Sequence, residues 1–238
     1  MKPPRASFVI PVFNGQAFLA ETIQSCLDQT CKNIEIVVVD DGSTDGTFDI
    51  LNHFQHQDER VKVVRLEKNG GRSNARNKGV EAAQSDFIFT LDADDICLPD
   101  RVAKTLEYFK KNPGVDIAYS DCTNIDVWGD GLIFQDHEGN QGDTFKAMPF
   151  DIEKVKKTLL THIPCHSSMT VKKSVFEKVK YETGEYSTNC IDDWHFQVMA
   201  HKAGFRFGPI NRVLVRYRHM PKPRDEAKIK ELKEAVLS

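Results

Sequence analysis

Three aspartates stand within four positions of this chain, at Asp92, Asp94 and Asp95. The apolar residues 87–89 precede them, which is typical of the end of a buried strand. Like charges this close repel each other, and burial adds to the cost of each. A divalent cation held by oxygen ligands is the simplest partner that would stabilise such a cluster. A solvated turn before a helix capped by Asp100 is the alternative, but it does not explain Asp92 and Asp94 together.

The composition is that of an ordinary globular protein, and it excludes some classes of partner. The chain has 238 residues, of which 40% are hydrophobic and 28% charged, enough for one large domain with a substantial core. A net charge of −3 offers no overall basic field to a nucleic acid. No apolar run approaches the roughly 20 residues of a membrane span, and the first one is too short for a signal peptide.

The six cysteines include no C-x-x-C pair, so a structural zinc site is not expected. Most of them occur in helical or strand-like context and are interpreted as small core residues. These features predict a cytoplasmic protein with reduced thiols. Peripheral contact with the inner face of a membrane is left open, and no oligomeric state is assigned.

The aspartates follow a first half in which strands and helices alternate. Runs rich in β-branched residues predict strands at 7–12, 34–39, 61–66 and 86–91. Apolar residues at helical spacing predict helices at 16–29, 47–56 and 72–83. This alternation predicts βαβ units and a mostly parallel sheet, which is an α/β fold. Ligands bind such sheets beyond the carboxyl ends of the strands, where the polar segments 13–14, 40–41 and 92–95 all fall.

The second half is less regular. The pattern predicts a helix at 99–111, a strand at 115–120 and irregular β structure over 121–150. The elements predicted after these are a helix at 151–160, a strand at 169–171, a short helix at 173–179, a polar loop at 181–189, a helix at 192–203 and two short strands around Pro209. The charged tail carries Ile229, Leu232 and Val236 on one helical face, so we expect it to dock on the domain. A membrane-surface role for the tail is the alternative.

Five motifs occur in a fixed order along the chain, and together they resemble the family-2 glycosyltransferases of the GT-A fold. They are residues 11–14, 40–45, 70–77, 92–95 and 192–194. Each is weak alone, but the ordered set is specific. The resemblance extends from Ser7 to about His219. It implies a Rossmann-like, mostly parallel central sheet flanked by helices, with a smaller mixed region on the acceptor side.

The resemblance also implies an organisation and an activity. The whole chain, 1–238, would form one domain, with a nucleotide-sugar-binding half at 1–98, an acceptor-binding half at 99–220 and an amphipathic helix at 221–238. The family transfers a sugar from a nucleotide-sugar donor to an acceptor hydroxyl, usually with inversion and usually with a divalent metal. We therefore expect a UDP-sugar donor, Mg²⁺ or Mn²⁺ as cofactor and a carbohydrate or lipid-linked acceptor, in polysaccharide or glycolipid assembly.

The donor nucleotide is expected at the ends of the first two strands. By position in the family motifs, Pro11, Phe13 and Asn14 would contact it, and Asp41 would accept a hydrogen bond from the base. The N3–H group of uracil would suit a carboxylate. The alternative is that Asp41 caps the next helix, a role for which Asp45 is the better candidate.

The Gly70-Gly71-Arg72 turn precedes a helix that carries Arg76 and Lys78. Backbone N–H groups and cations there could meet phosphate or nucleotide, and Arg72 is our candidate for the donor site. An ordinary turn with solvated basic residues is an equally good interpretation. Asn77 is expected to have a structural role, tying loops together.

The resemblance assigns the acids around position 92 separate roles. Asp92-Ala93-Asp94 matches the D-x-D motif of the family. Asp94 would bind the metal that bridges the diphosphate, and Asp92 would lie near the ribose or a metal-bound water. Asp95 is left unassigned. His219 is a second candidate metal ligand, although one residue fewer separates it from Arg218 than in the family pattern, and an exposed surface histidine is the alternative.

Asp193 matches the catalytic position of the acidic pair that precedes tryptophan in the family. It would act as the general base on the acceptor hydroxyl. Its place at a helix start favours the ionised form. A purely structural role for Asp193 in complementing the helix dipole, with Asp192 as an N-cap, is the alternative. His162 and His166 are candidates for the acceptor site, although a loop histidine more often has no special role.

Two other functions compete with transfer. One is a nucleotide-sugar hydrolase or a nucleotidyltransferase, but the latter usually has a Gly-rich loop after its first strand and residues 13–16 contain one glycine. The other is a non-catalytic nucleotide-sugar-binding module. The presence of Asp193 together with an intact D-x-D motif argues against such a module.

Overall fold

The β-branched runs of the sequence form the strands of one twisted sheet. The structure, a computed structural model, describes residues 3–135, 141–147, 149–153, 164–188, 191–220 and 226–237. The strands are β1 (Ala6–Val12), β2 (Ile34–Asp40), β3 (Val61–Arg65), β4 (Phe87–Thr90), β5 (Ile96–Cys97), β6 (Ile117–Ile125), β7 (Phe134–Gln135), β8 (Gln141–Gly142), β9 (Thr144–Phe145), β10 (Thr170–Lys172) and β11 (Phe207–Arg218).

The helices alternate with the strands in the first half, as predicted. They are α1 (Leu19–Leu27), α2 (Thr47–Gln57), α3 (Arg72–Ala82), α4 (Arg101–Lys111), α5 (Glu185–Thr188), α6 (Asp192–Lys202) and α7 (Glu226–Leu237). Two 3₁₀ turns, His166–Ser168 and Lys173–Glu177, flank β10.

The sheet changes from parallel to mixed at β10. Its order is β3-β2-β1-β4-β10-β6-β11-β5, and β9 pairs with β6. The first four strands are parallel, whereas β10 runs antiparallel to both of its neighbours. Because β1, β2 and β4 are parallel, their carboxyl ends meet at one edge of the sheet. The Rossmann-like half and the mixed half that the sequence predicted are both present.

Alternate residues of the central strands pack on opposite faces, as the period of a strand requires. On one face, Phe8 and Ile36 pack with α1, α2 and α4 in a continuous apolar cluster. On the other face, Val9 and Val37 pack with α3 and α6. Helix α6, which begins with Asp192 and Asp193, is thus held against the same face as α3.

Strand β11 differs from the prediction, because it is continuous from Phe207 to Arg218. Pro209 was expected to separate two strands. Strand β5 pairs with β11 only at Val215 and Arg216, so the missing N–H group of Pro209 leaves no partner in β5 unsatisfied. Irregular register with β6 after Ile210 absorbs the local distortion.

Most of the remaining predictions for the second half are confirmed within one or two residues. The strand predicted at 115–120 is longer and reaches Ile125. The predicted polar loop contains the short helix α5. Of the predicted helix at 151–160, positions 154–160 lie outside the described residues, as does His162.

The C-terminal helix α7 docks on the domain as expected. Ile229, Leu232 and Val236 are buried and pack with Trp194 and Val198 of α6. The tail therefore supports the helix that begins with the acidic pair. Among the helices that the structure describes, none has the length and apolar character needed to cross a membrane.

Candidate active site

A cleft of about 360 Å³ opens where the carboxyl ends of β1 and β2 meet the start of α3. Four of the residues predicted to bind the donor line it: Pro11, Phe13, Asp41 and Arg72. The other lining residues are Val12, Asn69, Gly70, Gly71, Ala75, Thr183, Ser187 and Thr188. The sheet therefore brings together residues from three of the five sequence motifs.

Asp41 holds the glycine turn at the rim of this cleft. Its two carboxylate oxygens accept hydrogen bonds from the N–H groups of Gly70 and Gly71, each at 2.8 Å. Gly71 has φ of +87°, a conformation that favours glycine. The backbone N–H groups expected to be open to phosphate are thus already used by Asp41. Asp45 accepts a hydrogen bond from the Thr47 N–H at 3.0 Å, but Gly46 occupies the N-cap of α2, so the prediction that Asp45 is the cap is wrong.

Asn14 joins the loops that follow β1 and β2. It has φ of 52°, a left-handed conformation that asparagine tolerates better than most residues. Its Oδ1 accepts from the Thr44 N–H at 2.9 Å, and its own N–H donates to Ser43 Oγ at 2.9 Å. These contacts give Asn14 a structural role in shaping the cleft, and its predicted contact with the nucleotide stays a prediction.

Arg76 connects the D-x-D motif to helix α6. One amino group of Arg76 donates to Asp92 Oδ1 at 2.7 Å, and the other contacts Asp192 Oδ2. Arg72 also donates to Asp192, through Nε at 2.6 Å. Arg76 is buried, so the interpretation of it as a solvated basic residue is wrong. The spacing of Arg72 and Arg76, four residues apart on one helix face, is the sequence signal that points to a shared partner.

The burial of this ion network shifts the pKa values of its carboxyls. Burial alone would raise the pKa of Asp192, but the charges of Arg76 and Arg72 outweigh it and hold that pKa below its usual value. The pKa of Asp92 is likewise lowered, because Arg76 outweighs the desolvation. Both carboxylates are therefore ionised at neutral pH and fixed by arginine.

Asp193 has the opposite electrostatic environment. Burial and the neighbouring charge of Asp192 raise the pKa of Asp193, so the expectation that the helix start favours its ionised form is wrong. Its Oδ1 accepts a hydrogen bond from Trp194 N–H at 2.8 Å, and the residue is half-buried. Asp192 is no N-cap, since Ile191 precedes the helix without a side-chain cap.

Asp95, unassigned from sequence, has a structural role. It is fully buried and accepts a hydrogen bond from the Arg218 N–H at 2.7 Å. Burial and the charge of Asp94 raise the pKa of Asp95. The Arg218 guanidinium donates from Nε to the carbonyl of Asp94 at 2.9 Å and pairs with Glu21 at 2.7 Å. The end of β11 is thus fixed to the D-x-D loop.

Asp94 and His219 remain the candidate metal ligands. Asp94 is partly exposed, and His219 Nε2 lies 2.9 Å from Asn124 Oδ1. Within the described ranges, no group of three or more His, Cys, Asp or Glu side chains forms a metal cage. Magnesium-type ions in nucleotide sites commonly take one or two carboxylates and complete their shell with water and phosphate oxygens. A partly exposed Asp94 fits such a site.

The segment 166–168 contacts the D-x-D motif, and no signal in the sequence indicates this contact. Ser167 Oγ accepts a hydrogen bond from the Asp92 N–H at 3.0 Å. His166 is buried, with Nε2 2.9 Å from the Tyr181 hydroxyl. Burial and the charge of Arg76 lower the pKa of His166 to about 3, so it is neutral at physiological pH. Asn77 has the predicted structural role, since it exchanges two hydrogen bonds with the backbone of Tyr181.

The family model described as Glycosyl transferase family 2 matches residues 7–180 of this chain. The chain belongs to that family. A glycosyltransferase of Methanocaldococcus jannaschii, described as uncharacterized, is 31% identical over 221 residues, covering 92% of this chain and 72% of the relative. As a member of family 2, the chain is a glycosyltransferase, and the expected activity class is confirmed.

A second relative matches less than half of the chain. It is a putative teichuronic acid biosynthesis glycosyltransferase of Bacillus subtilis, TuaG, 43% identical over 105 residues. That match covers 44% of this glycosyltransferase and 42% of TuaG.

Two solved structures show the same fold. S. aureus TarS 1–349 in complex with UDP-GlcNAc superposes with a TM-score of 0.73 at 18% identity, covering 98% of this chain and 66% of the other. A mannosyltransferase of Pyrobaculum calidifontis, in complex with GDP-Man and Mn²⁺, superposes with a TM-score of 0.68 at 18% identity. The match covers 100% of this chain and 63% of the mannosyltransferase. This glycosyltransferase thus spans just under two thirds of each of those chains. The likeness confirms the GT-A fold.

Proposed function

We propose that this glycosyltransferase moves a hexosyl or N-acetylhexosaminyl group from a UDP-sugar to a hydroxyl of a carbohydrate or lipid-linked acceptor, with inversion. The observation that carries the proposal is the bridge through Arg76. It connects Asp92, at the donor side, to Asp192, whose neighbour Asp193 is the proposed base. Within the proposed single domain, residues 1–98 bind the donor and 99–220 bind the acceptor.

The cleft would hold the nucleotide. Pro11 and Phe13 offer apolar surface to the base and ribose, and Phe13 is 48% exposed at the rim. Asp41 already orders the glycine turn with both oxygens, and each carboxylate oxygen has a second lone pair available for the base. Arg72 places a cation at the cleft end nearest Asp192, where the diphosphate would lie. The complexes of TarS with UDP and UDP-GlcNAc support a nucleotide-sugar in this position.

Asp94 is the proposed metal ligand, with His219 as the second candidate. A Mg²⁺ or Mn²⁺ ion bound there would neutralise charge on the departing diphosphate. The Mn²⁺ complex of the Pyrobaculum mannosyltransferase supports this cofactor. Asp92 faces the network through Arg76 and would keep the donor-side loop in place.

Asp193 would remove the proton from the acceptor hydroxyl as that oxygen attacks the anomeric carbon. A raised pKa makes a carboxylate a better proton acceptor, because proton transfer is most effective when the pKa lies near the working pH. One base is sufficient for direct displacement, whereas a double displacement needs a carboxylate nucleophile next to the anomeric carbon.

The biological setting would be the assembly of a cell-envelope polysaccharide or glycolipid. TuaG is described as a putative enzyme of teichuronic acid biosynthesis, which supports a polymeric acceptor. Peripheral contact with the inner face of a membrane would follow from a lipid-linked acceptor and is part of the proposal.

A panel of UDP-, GDP- and TDP-sugars tests the donor assignment by thermal shift, with Mn²⁺ and with a chelator. We expect UDP-sugars to raise the melting temperature in Mn²⁺ only, since a ligand that binds the folded state stabilises it. Asp94→Asn should lose the metal dependence, and Asp58→Asn, remote from the cleft, should keep it. A chain that binds no nucleotide-sugar would contradict the proposal.

The same preparation separates transfer from its competitors. Release of free sugar at an unchanged rate with and without acceptor would identify a hydrolase. Metal-dependent binding with no turnover on any acceptor would identify a non-catalytic binding module.

A further inference from the structure

Trp128 lies at the tip of a tight turn and is 86% exposed. Ile133 and Phe145, also exposed, belong to segments that pair with the same end of β6. The other tryptophan of the chain, Trp194, is 1% exposed. Large apolar side chains that are exposed in one region mark a binding surface more often than a single one does.

The turn that carries Trp128 is held rigidly. Asp126 Oδ1 accepts hydrogen bonds from the N–H groups of Trp128, at 2.8 Å, and Asp130, at 2.9 Å. Gly129 closes the turn with φ of +91°. An aromatic side chain on a fixed turn loses little freedom when it binds a partner, which favours recognition.

One guanidinium group connects this turn to the D-x-D motif. Arg218 donates from Nη1 to the carbonyls of Asp126, at 3.0 Å, and Val127, at 3.2 Å. From Nε it donates to the carbonyl of Asp94 at 2.9 Å. Arg218 is buried, so the turn and the D-x-D loop form one ordered unit. The turn that carries Trp128 is therefore joined to the loop of the proposed metal ligand Asp94, and it belongs to the proposed acceptor-binding half.

The charges around the turn select the partner. Asp126 and Asp130 lie in the turn and Asp143 in a segment that pairs with β6. Arg216 and Arg218 donate to carbonyls of the turn, and Lys146 pairs with Asp121, so carboxylates outnumber cations among these side chains. Negative charge repels an anionic lipid surface and a nucleic acid. Sugar hydroxyls are hydrogen-bond donors that suit carboxylate and carbonyl oxygens. The C–H face of a sugar ring packs on the face of an aromatic ring.

We infer that Trp128 is the platform of an acceptor subsite that takes a neutral saccharide ring. The inference rests on the proposed function and deepens it, because it names the part of the acceptor that binds next to the reacting hydroxyl. Neither the family match nor the motifs of the sequence assign this residue.

Fluorescence titration with neutral tetrasaccharides of glucose, galactose and N-acetylglucosamine tests the inference directly. Trp128 is the exposed one of two tryptophans, so a saccharide should shift or quench the emission of the unmodified protein. The change should disappear in Trp128→Phe, which retains Trp194. No change with any of these saccharides, or a change that persists in the variant, would overturn the inference.

Steady-state kinetics with the tetrasaccharide that accepts sugar provide the second measurement. Trp128→Ala should raise the acceptor KM about tenfold, the loss of one stacking contact, with kcat and donor KM within about twofold. Trp128→Phe should recover part of the loss, and Asp58→Asn, remote from the turn and from the cleft, should match the unmodified protein. A wild-type acceptor KM in Trp128→Ala would overturn the inference while leaving the proposed function intact. If neither the unmodified protein nor any of these variants bound a nucleotide-sugar, the proposed function itself would be wrong.

Two further measurements test whether Trp128 instead contacts a membrane or a second copy of the chain. Sedimentation with vesicles of phosphatidylglycerol, or a dimer that dissociates in Trp128→Ala, would assign the indole to a membrane or to a second copy and would overturn the saccharide assignment.

Discussion

Two acidic segments, the D-x-D loop and the start of α6, have the same pattern of pKa shifts but differ in how far the aspartate with the raised pKa is buried. In each segment arginine lowers the pKa of one aspartate, Asp92 or Asp192, while burial raises the pKa of another, Asp95 or Asp193. Asp95 is fully enclosed and holds β11 through the Arg218 N–H. Asp193 is only half-buried, and its side chain accepts a hydrogen bond from the N–H group of Trp194, the next residue of its own helix.

A raised pKa does not by itself identify a base. A proton acceptor must reach its substrate, and geometry precedes pKa in that choice. The pKa of Asp95 is raised, but its side chain is enclosed and cannot reach a substrate. The pKa of Asp193 is also raised, and its side chain is partly open to solvent. Isosteric changes of these aspartates to asparagine separate the two roles.

The largest expected effect is on turnover in Asp193→Asn. The amide cannot accept the acceptor proton, so kcat should fall by about 10² to 10⁴-fold. The dissociation constant for the nucleotide should stay within about twofold, since Asp193 does not line the cleft. Initial-rate kinetics and calorimetric titration check both values. Near-normal turnover would remove Asp193 from the role of base.

Asp192→Asn should have its main effect on stability. It removes the charge that the buried Arg76 and the partly exposed Arg72 share and leaves Arg76 paired with Asp92. Breaking a buried ion pair costs about 3–5 kcal/mol. Denaturant unfolding should therefore show a much lower free energy of unfolding than in Asp193→Asn. Equal stability of the two variants would show that the arginine bridge is not what holds α6 to α3.

The pH dependence of stability should have opposite signs at the two neighbours. The folded pKa of Asp192 is lowered, so its stabilisation is present above the unfolded value, about 4, and is lost as the pH falls through the folded pKa. The folded pKa of Asp193 is raised, so its contribution is present below about 4 and is lost as the pH rises through the folded pKa.

Unfolding free energies of the unmodified protein and both variants, measured from about pH 3 to about pH 8, give the two differences. The deficit of Asp192→Asn should shrink at acid pH, and the advantage of Asp193→Asn should grow as the pH rises. Parallel curves for the two variants would contradict the opposite shifts.

The smallest expected effect belongs to Asp95→Asn. The amide oxygen can still accept from the Arg218 N–H, and the repulsion from Asp94 disappears. Stability should change by less than about 1 kcal/mol, and kcat by less than about threefold. A loss of turnover comparable to that of Asp193→Asn, in a correctly folded variant, would mean that Asp95 takes part in the reaction and that its role is not only structural.

The first half of the fold could be predicted from the sequence because local signals agree there. Continuous β-branched runs such as 34–39 mark strands buried on both faces, and polar residues mark where they end. The order of the motifs then indicated the family and the edge of the sheet that carries the site. Pro11, Phe13, Asp41 and Arg72 were predicted for the donor site, and the structure places all four in one cleft.

The long-range contacts could not be predicted in the same way. Arg76 and Asp192 are 116 positions apart, and no periodicity connects them. The use of the Gly70 and Gly71 N–H groups by Asp41 depends on the spacing of two strand ends in space. The pKa of Asp193 depends on burial, and the helix dipole considered alone gave the wrong direction. The continuity of β11 through Pro209 depends on how far β5 extends.

Proton NMR of the first product formed from an α-linked UDP-sugar tests the central claim most directly. A single base at Asp193 acting on an incoming hydroxyl, with no enzyme nucleophile, predicts that the anomeric carbon inverts and the product is β-linked. The same result is expected for the sugar released by slow hydrolysis, before it mutarotates. An α-linked first product would contradict direct displacement and the role of Asp193 as its base.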